Sequence, residues 1–189
     1  MNRSVTHTRP TDTIDVEFSA LPLRLPDAGS AVEDALAKAL EYAAHKTGAH
    51  NLAAVFDALR RRDVTTVQYT AYGLACQLAE TLGALDETVK AVYLFDAGAT
   101  GGDEVFDEPA SDLSLHLIVW AERKTKALAA LISGLDRALM QAVTALQEMP
   151  AAMQLLDAQI VDTAEVQQRI GYGALLSSLH YRPLPIWQR

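Results

Sequence analysis

Apolar residues recur every three or four positions in the stretch that begins near residue 30, which is the spacing of one face of an α-helix. In "PDAGSAVEDALAKALEYAAHKTG" this face holds Val32, Leu36, Leu40 and Ala43. Ser30 and Glu33 fit a capping box at the start, and Gly48 supplies a stop. The pattern therefore predicts a helix between Ser30 and Gly48.

The helical spacing continues through the rest of the N-terminal half. It predicts a second helix over about residues 51–62 and a third over about 66–82, ended by Gly83. Upstream, residues 1–13 have the composition of a loose arm. The segment "IDVEFSALPLRL" alternates imperfectly and predicts an edge strand interrupted at Pro22.

The hydrophobic period changes after Lys90. "AVYLF" is a short apolar run suited to a buried strand, and "DLSLHLIVW" alternates strictly at first. The next segment predicts a long amphipathic helix that covers one face of the sheet, with apolar positions at Leu128, Leu131, Ile132, Leu135, Leu139, Val143 and Leu146. A third strand, "LLDAQIV", precedes a short helix capped by Asp162 and Glu165. The tail "YRPLPIWQR" has too much proline for a helix, and Ile186 and Trp187 are expected to anchor it.

These elements predict an α+β fold in which a small mixed sheet is covered by helices and the N-terminal half is helical. We expect one compact unit with three regions. Residues 1–29 form an arm with an edge strand, residues 30–83 form a helical region, and residues 84–189 form the α/β core with an extended tail.

Composition narrows the class of protein. Half of the 189 residues are apolar and 21% are charged, which suffices for the core of one domain. A net charge of −8 would repel a phosphate backbone, so nucleic acid is not expected as a partner. No apolar stretch approaches the roughly 20 residues that span a bilayer, so no membrane partner is expected. The single cysteine, Cys76, fits a cytoplasmic location and is interpreted as a core thiol rather than a nucleophile.

Strand periodicity places polar side chains together. Because side chains alternate across a sheet, Asp112, Ser114 and His116 share one face of the second strand. Asp157 and Gln159 share a face of the third strand. If these strands are neighbours, the five side chains form a polar floor. This floor fits either a site or simply the solvated side of an antiparallel sheet.

Residues 82–165 contain, in order, a predicted helix, a strand ending in Leu-Phe, a loop with glycines, the strand "SDLSL", a second helix and a third strand with an acid. This order resembles the minimal nucleotidyltransferase domain of the DNA polymerase beta superfamily. That family carries Gly-Ser after the first strand, Asp-x-Asp on the second and a further carboxylate on the third. The resemblance implies two magnesium ions that hold a nucleoside triphosphate and activate a hydroxyl.

This sequence departs from the family pattern at most of these positions. Asp96 and Ala97 stand where Gly-Ser is expected, and a carboxylate about 4 Å from a phosphate costs about 4 kcal/mol at an effective dielectric near 20. Asp112 matches the first carboxylate and Asp157 the third, but Ser114 occupies the second position. A neutral hydroxyl does not replace an anionic magnesium ligand. The departures indicate that nucleotidyl transfer has been lost.

Two functional hypotheses follow. The favoured one is a non-catalytic binding or assembly module that forms a homodimer or binds a protein partner, needs no cofactor and disfavours nucleotide. The alternative is a divergent enzyme that acts on a nucleotide or phosphoester with magnesium or another divalent metal. In that case Asp112, His116 and Asp157 would be metal ligands. Asp96 would be a general base, and the catalytic candidates would be Asp96, Asp112 and Asp157.

Overall fold

The computed structural model of the chain describes residues 28–95, 113–147, 155–178 and 183–189. Helices and a four-stranded mixed sheet confirm the α+β class. The predicted arm and edge strand before residue 28 lie outside the described residues. The elements are α1 (Ala28–Thr47), α2 (Leu52–Arg60), α3 (Val64–Leu85), β1 (Val89–Leu94), β2 (Leu115–Ala121), α4 (Lys126–Gln147), β3 (Leu156–Asp162), α5 (Thr163–Gln168), α6 (Tyr172–Leu175) and β4 (Leu184–Gln188).

The strands lie in the order β3-β2-β1-β4. β1 is antiparallel to both β2 and β4, whereas β2 and β3 are parallel and are connected through α4. The tail forms the strand β4, which the sequence analysis did not predict because the tail is rich in proline. Pro185 is tolerated there because β4 is an edge strand, where a missing N–H need not break a hydrogen bond to a neighbour.

The first two helices follow the predicted pattern, with one correction. α1 begins at Ala28, so Ser30 lies within its first turn and the predicted Ser30–Glu33 capping box is not the start of the helix. Gly48 does stop α1, because it adopts a φ of +71° that disfavours other residues. Asn51 caps α2 by accepting a hydrogen bond of 2.9 Å from the N–H of Ala54.

α3 is longer than predicted at both ends. It begins after Asp63, whose carboxylate accepts bonds from the N–H and the hydroxyl of Thr66. It then continues through Gly83 to Leu85, so Gly83 does not end the helix. A Cβ at Gly83 would lie 2.1 Å from Cζ2 of Trp187. The glycine is therefore a notch in the helix surface that receives the indole ring.

One hydrophobic core joins the helices to a single face of the sheet. α1 packs against α3 and α4, while α3 packs on β1 and β4 and α4 packs on β3. The predicted apolar stripe of α4 is confirmed, because its members Leu128, Leu131, Ile132, Leu135, Leu139 and Val143 are buried. The side chain of Leu146 lies outside the described part of the chain. α4 thus shares this face of the sheet with α3.

The C-terminal strand is anchored as the sequence predicts. Ile186 and Trp187 pack against the core from β4. The backbone N–H of Arg189 donates to the carbonyl of Lys90 at 3.0 Å, and its guanidinium donates to the carbonyl of Gly83. These contacts hold β4 against both β1 and the C-terminal end of α3.

Candidate functional site

Three of the five side chains of the predicted polar floor, His116, Asp157 and Gln159, lie where β2 and β3 run side by side. In their parallel register His116 lies opposite Asp157, and Ile118 lies opposite Gln159. The expectation that these strands are neighbours is therefore confirmed. Their parallel direction removes the interpretation of this pair as part of a simple antiparallel sheet.

His116, Asp157 and Gln159 form a hydrogen-bonded cluster on the face of the sheet that is opposite α4. Nδ1 of His116 lies 3.2 Å from Oδ2 of Asp157, and Nε2 of Gln159 donates to Oδ1 of Asp157 at 2.9 Å. The side chains of His116 and Asp157 are each 45% exposed. Solvent therefore reaches the cluster.

The donors in this cluster define its chemistry. Because an ionised carboxylate only accepts hydrogen bonds, the imidazole of His116 donates from Nδ1 and its Nε2 remains an acceptor when the ring is neutral. Both oxygens of Asp157 already accept a hydrogen bond within the cluster. Nε2 of His116 is thus the atom best placed to accept a proton or to ligate a metal.

The rest of this sheet face is not polar, so the cluster does not extend along the whole of β2 and β3. Ile118 and Val161 share the face with the cluster, yet both are buried. Trp120 donates from its indole nitrogen to the hydroxyl of Thr163 at 3.3 Å. α5 and α6 pack on β3. The polar part of the face is confined to the end of the sheet that carries His116 and Asp157.

The structure does not describe all of the predicted site residues. Asp96 and Asp112 lie outside the described residues, as does the glycine-containing loop between them. Ser114 comes one residue before β2 and is exposed. Within residues 28–95, 113–147, 155–178 and 183–189, no group of three His, Cys, Asp or Glu side chains could hold a metal ion. Of the predicted ligand set, the structure brings His116 and Asp157 together.

A groove between α4 and β3 is a feature that the sequence did not predict. It has a volume of about 320 Å³ and opens beside the sheet edge formed by β3. The apolar side chains of Ile132, Leu156, Ala158 and Ile160 line it together with Ala129, Ser133, Asp136 and Arg137. Its only sequence signal is the alternation in "LLDAQIV", which places Leu156, Ala158 and Ile160 on one face.

Cys76 is partly buried in α3 rather than fully enclosed in the core. Burial raises the pKa of its thiol, and a hydrogen bond with Tyr72 only partly offsets this. A raised pKa keeps the thiol protonated and lowers its reactivity as a nucleophile. The described surroundings of Cys76 therefore favour the interpretation as a packing residue.

No helix in the described part of the chain has the length and apolar character needed to cross a membrane. Comparisons with protein-family models, curated proteins and solved structures gave no match to this chain.

Proposed function

We propose that this chain is a nucleotidyltransferase-like protein that has lost nucleotidyl transfer and acts as a cytoplasmic binding or assembly module. The observation that carries the proposal is the position of β3 at the edge of the sheet formed by the described residues, beside the 320 Å³ groove. Exposed strand edges and apolar grooves are the usual docking surfaces for a further strand or peptide. A homodimer is the assembly that we propose in the first instance.

The element order supports the nucleotidyltransferase-like part of the proposal. α3, β1, β2, α4 and β3 follow one another as the resemblance implies, and Asp157 lies on the third strand of that series. The residue at the second family position supports the loss of transfer. Ser114 offers a neutral hydroxyl where the resemblance implies an anionic magnesium ligand.

The second candidate is a divergent metal-dependent enzyme that acts on a nucleotide or phosphoester. The contact between His116 and Asp157 favours it, because a carboxylate that orients an imidazole is a common arrangement around a metal-binding histidine. In this candidate Asp112 completes the ligand set with His116 and Asp157. Asp96 acts as the general base.

Calorimetric titration of the metal-stripped protein distinguishes these candidates. The protein is titrated with magnesium, manganese and zinc, and then with ATP in the presence of any metal that binds. The module predicts no binding at millimolar ligand. Metal or nucleotide binding that disappears in both Asp112→Ala and Asp157→Ala would overturn the module in favour of the enzyme.

A matched control separates a specific loss of binding from a general loss of charge. Asp34 on α1 is 66% exposed, and its carboxylate pairs with Lys38 at 2.8 Å, on a helix remote from the polar cluster. Asp34→Ala removes the same side chain as Asp157→Ala. Metal binding that belongs to the cluster is retained in Asp34→Ala and lost in Asp157→Ala.

A further inference from the structure

The two edges of the sheet are protected to different extents. β4 carries Pro185, and its register with β1 shifts between Val92 and Tyr93, both of which hinder the addition of another strand. β3 has neither proline nor lysine between Leu156 and Asp162, and its register with β2 is unbroken. The edge of β3 is therefore the one suited to pairing with another chain.

The hydrogen bonding of β3 shows which of its backbone groups point away from the sheet. The N–H of Leu115 donates to the carbonyl of Leu155 at 2.8 Å. This bond determines which residues of β3 direct their backbone groups towards β2. In such a ladder alternate residues of a strand bond to the same neighbour. Asp157, Gln159 and Val161 therefore bond to β2, and the groups of Leu156, Ala158 and Ile160 point outward.

Carboxylates occupy both ends of this outward edge. Oδ1 of Asp136 on α4 accepts the N–H of Leu156 at 2.9 Å, and Oε2 of Glu165 on α5 accepts the N–H of Asp162 at 3.0 Å. These bonds stop a long strand from pairing along the whole of β3. Among the residues that the structure describes, they leave a short window that consists of Ala158 and Ile160 and is centred on Gln159.

We infer that this window pairs with the same window of a second copy, so that β3 of each protomer forms an antiparallel pair across a two-fold axis at Gln159. This inference rests on the proposed assembly function and names its interface. A two-fold axis at Gln159 brings Ala158 opposite Ile160 of the partner subunit. Both residues then exchange backbone hydrogen bonds, as in a regular antiparallel ladder. The result is one continuous eight-stranded sheet.

Side-chain chemistry fits this register. Ala158 and Ile160 line the groove, so the partner's Ile160 places its apolar side chain beside the smaller Ala158. On α4 the groove wall carries Ala129 and Ser133, small residues that leave room for a second copy of the helix. The dimer extends the apolar layer beneath the sheet.

Charges favour pairing at the centre of the window and oppose it at the two ends. In this register Asp157 faces the partner's Val161, so the acidic side chains are not opposed on the polar face. At each end Leu156 faces the partner's Asp162, so the Asp136 carboxylate comes close to the partner's Glu165. Arg137 follows Asp136 on α4, and Nζ of Lys124 donates to Oε1 of Glu165 at 2.7 Å, so a cation stands beside each of these carboxylates.

Disulfide trapping tests the register. Gln159→Cys is made in a Cys76→Ser background, and Gln188→Cys on the edge strand β4 is the matched control. Directly opposed residues of a non-hydrogen-bonded antiparallel pair have Cα atoms about 4.5 Å apart, within the range of a disulfide. After oxidation with diamide, Gln159→Cys should run as a covalent dimer and Gln188→Cys should not. Equal cross-linking of both variants would overturn the inference.

The oligomeric state gives an independent readout. Sedimentation of the unmodified chain across a concentration series should give a mass of twice 20.5 kDa. Ile160→Lys should reduce it to one chain mass, and circular dichroism should show that this variant remains folded. A wild-type chain that stays monomeric would overturn the inference. If Ile160→Lys does not fold, the disulfide experiment still decides.

The outcomes separate this inference from the proposed function. A dimer trapped at Gln159 that also binds metal and ATP through Asp112 and Asp157 would overturn the loss of nucleotide chemistry and support the β3 interface. A monomer that binds neither would overturn the interface and support the non-catalytic module. Binding of a foreign protein at β3 by a monomeric chain would likewise count against self-pairing.

Discussion

Gly83→Ala is the substitution for which the structure gives the sharpest expectation. On helix propensity alone the change should stabilise the protein, because alanine is favoured over glycine in a helix interior by about 1 kcal/mol. In this structure the new Cβ would lie 2.1 Å from Cζ2, 2.4 Å from Cη2 and 2.5 Å from Cε2 of Trp187. The contact with Trp187 therefore predicts that Gly83→Ala destabilises the protein, whereas helix propensity predicts that it stabilises the protein.

The magnitude follows from the distance that the ring must move. Ordinary carbon–carbon contacts lie at about 3.5–4.0 Å, so the indole of Trp187 must shift by roughly 1.5–2 Å. Overpacking of this kind costs about 1–3 kcal/mol. After the gain of about 1 kcal/mol in helix propensity is subtracted, we expect Gly83→Ala to lower the free energy of unfolding by up to about 2 kcal/mol.

Urea denaturation monitored by circular dichroism measures this change. Gly73→Ala is the matched control in the same helix, because its Cβ would meet the nearest atom at 3.1 Å and should cost less than the change at Gly83. In a Trp187→Ala background the sign should reverse, and Gly83→Ala should then stabilise by up to about 1 kcal/mol. A Gly83→Ala protein more stable than the unmodified chain would refute the notch.

Two further predictions concern carboxylates that accept backbone hydrogen bonds. The pKa of Asp63 is lowered by the hydroxyl and then the N–H of Thr66. A lowered folded-state pKa contributes stability above the ordinary aspartate pKa and loses it as pH falls through the lowered value. Asp63→Ala should therefore reduce the urea midpoint at pH 7, and the difference should shrink at acid pH; a pH-independent difference would contradict this. Asp136→Ala removes the acceptor for the N–H groups of Leu155 and Leu156, so thermal melts should show a loss of about 1–3 kcal/mol, whereas an unchanged melt would count against the bond.

Local periodicity was sufficient to predict much of this fold. The spacing of Val32, Leu36 and Leu40 predicts α1, and the alternation along the second and third strands predicts that His116 and Asp157 share one face of the sheet. These predictions succeeded because side-chain direction depends on backbone geometry over a few residues. For that reason the class of fold and the proximity of His116 and Asp157 could be predicted from the sequence.

Features that depend on contacts between residues far apart in the sequence could not be predicted from local patterns. Glycine usually signals the end of a helix, but Gly83 lies inside α3 because a tryptophan more than a hundred residues later fills the space beside it. The role of Asp136 could not be predicted from its neighbours in the sequence either. The N–H groups that it accepts belong to Leu155 and Leu156, which lie 19 and 20 residues further along the chain. The groove and the short window on β3 depend on such contacts.

The position of β4 in the sheet has a consequence for synthesis on the ribosome. β1 pairs with β4, and 90 residues separate Leu94 from Leu184. At roughly 5–20 residues per second, the outer edge of β1 waits about 5–20 s for the strand that covers it. The helical half can condense as it emerges, because its contacts are close in sequence, whereas the sheet is completed only after β4 has been translated. The nascent chain therefore has a period in which its helices are folded while an unpaired β1 edge and the notch at Gly83 are open to chaperones.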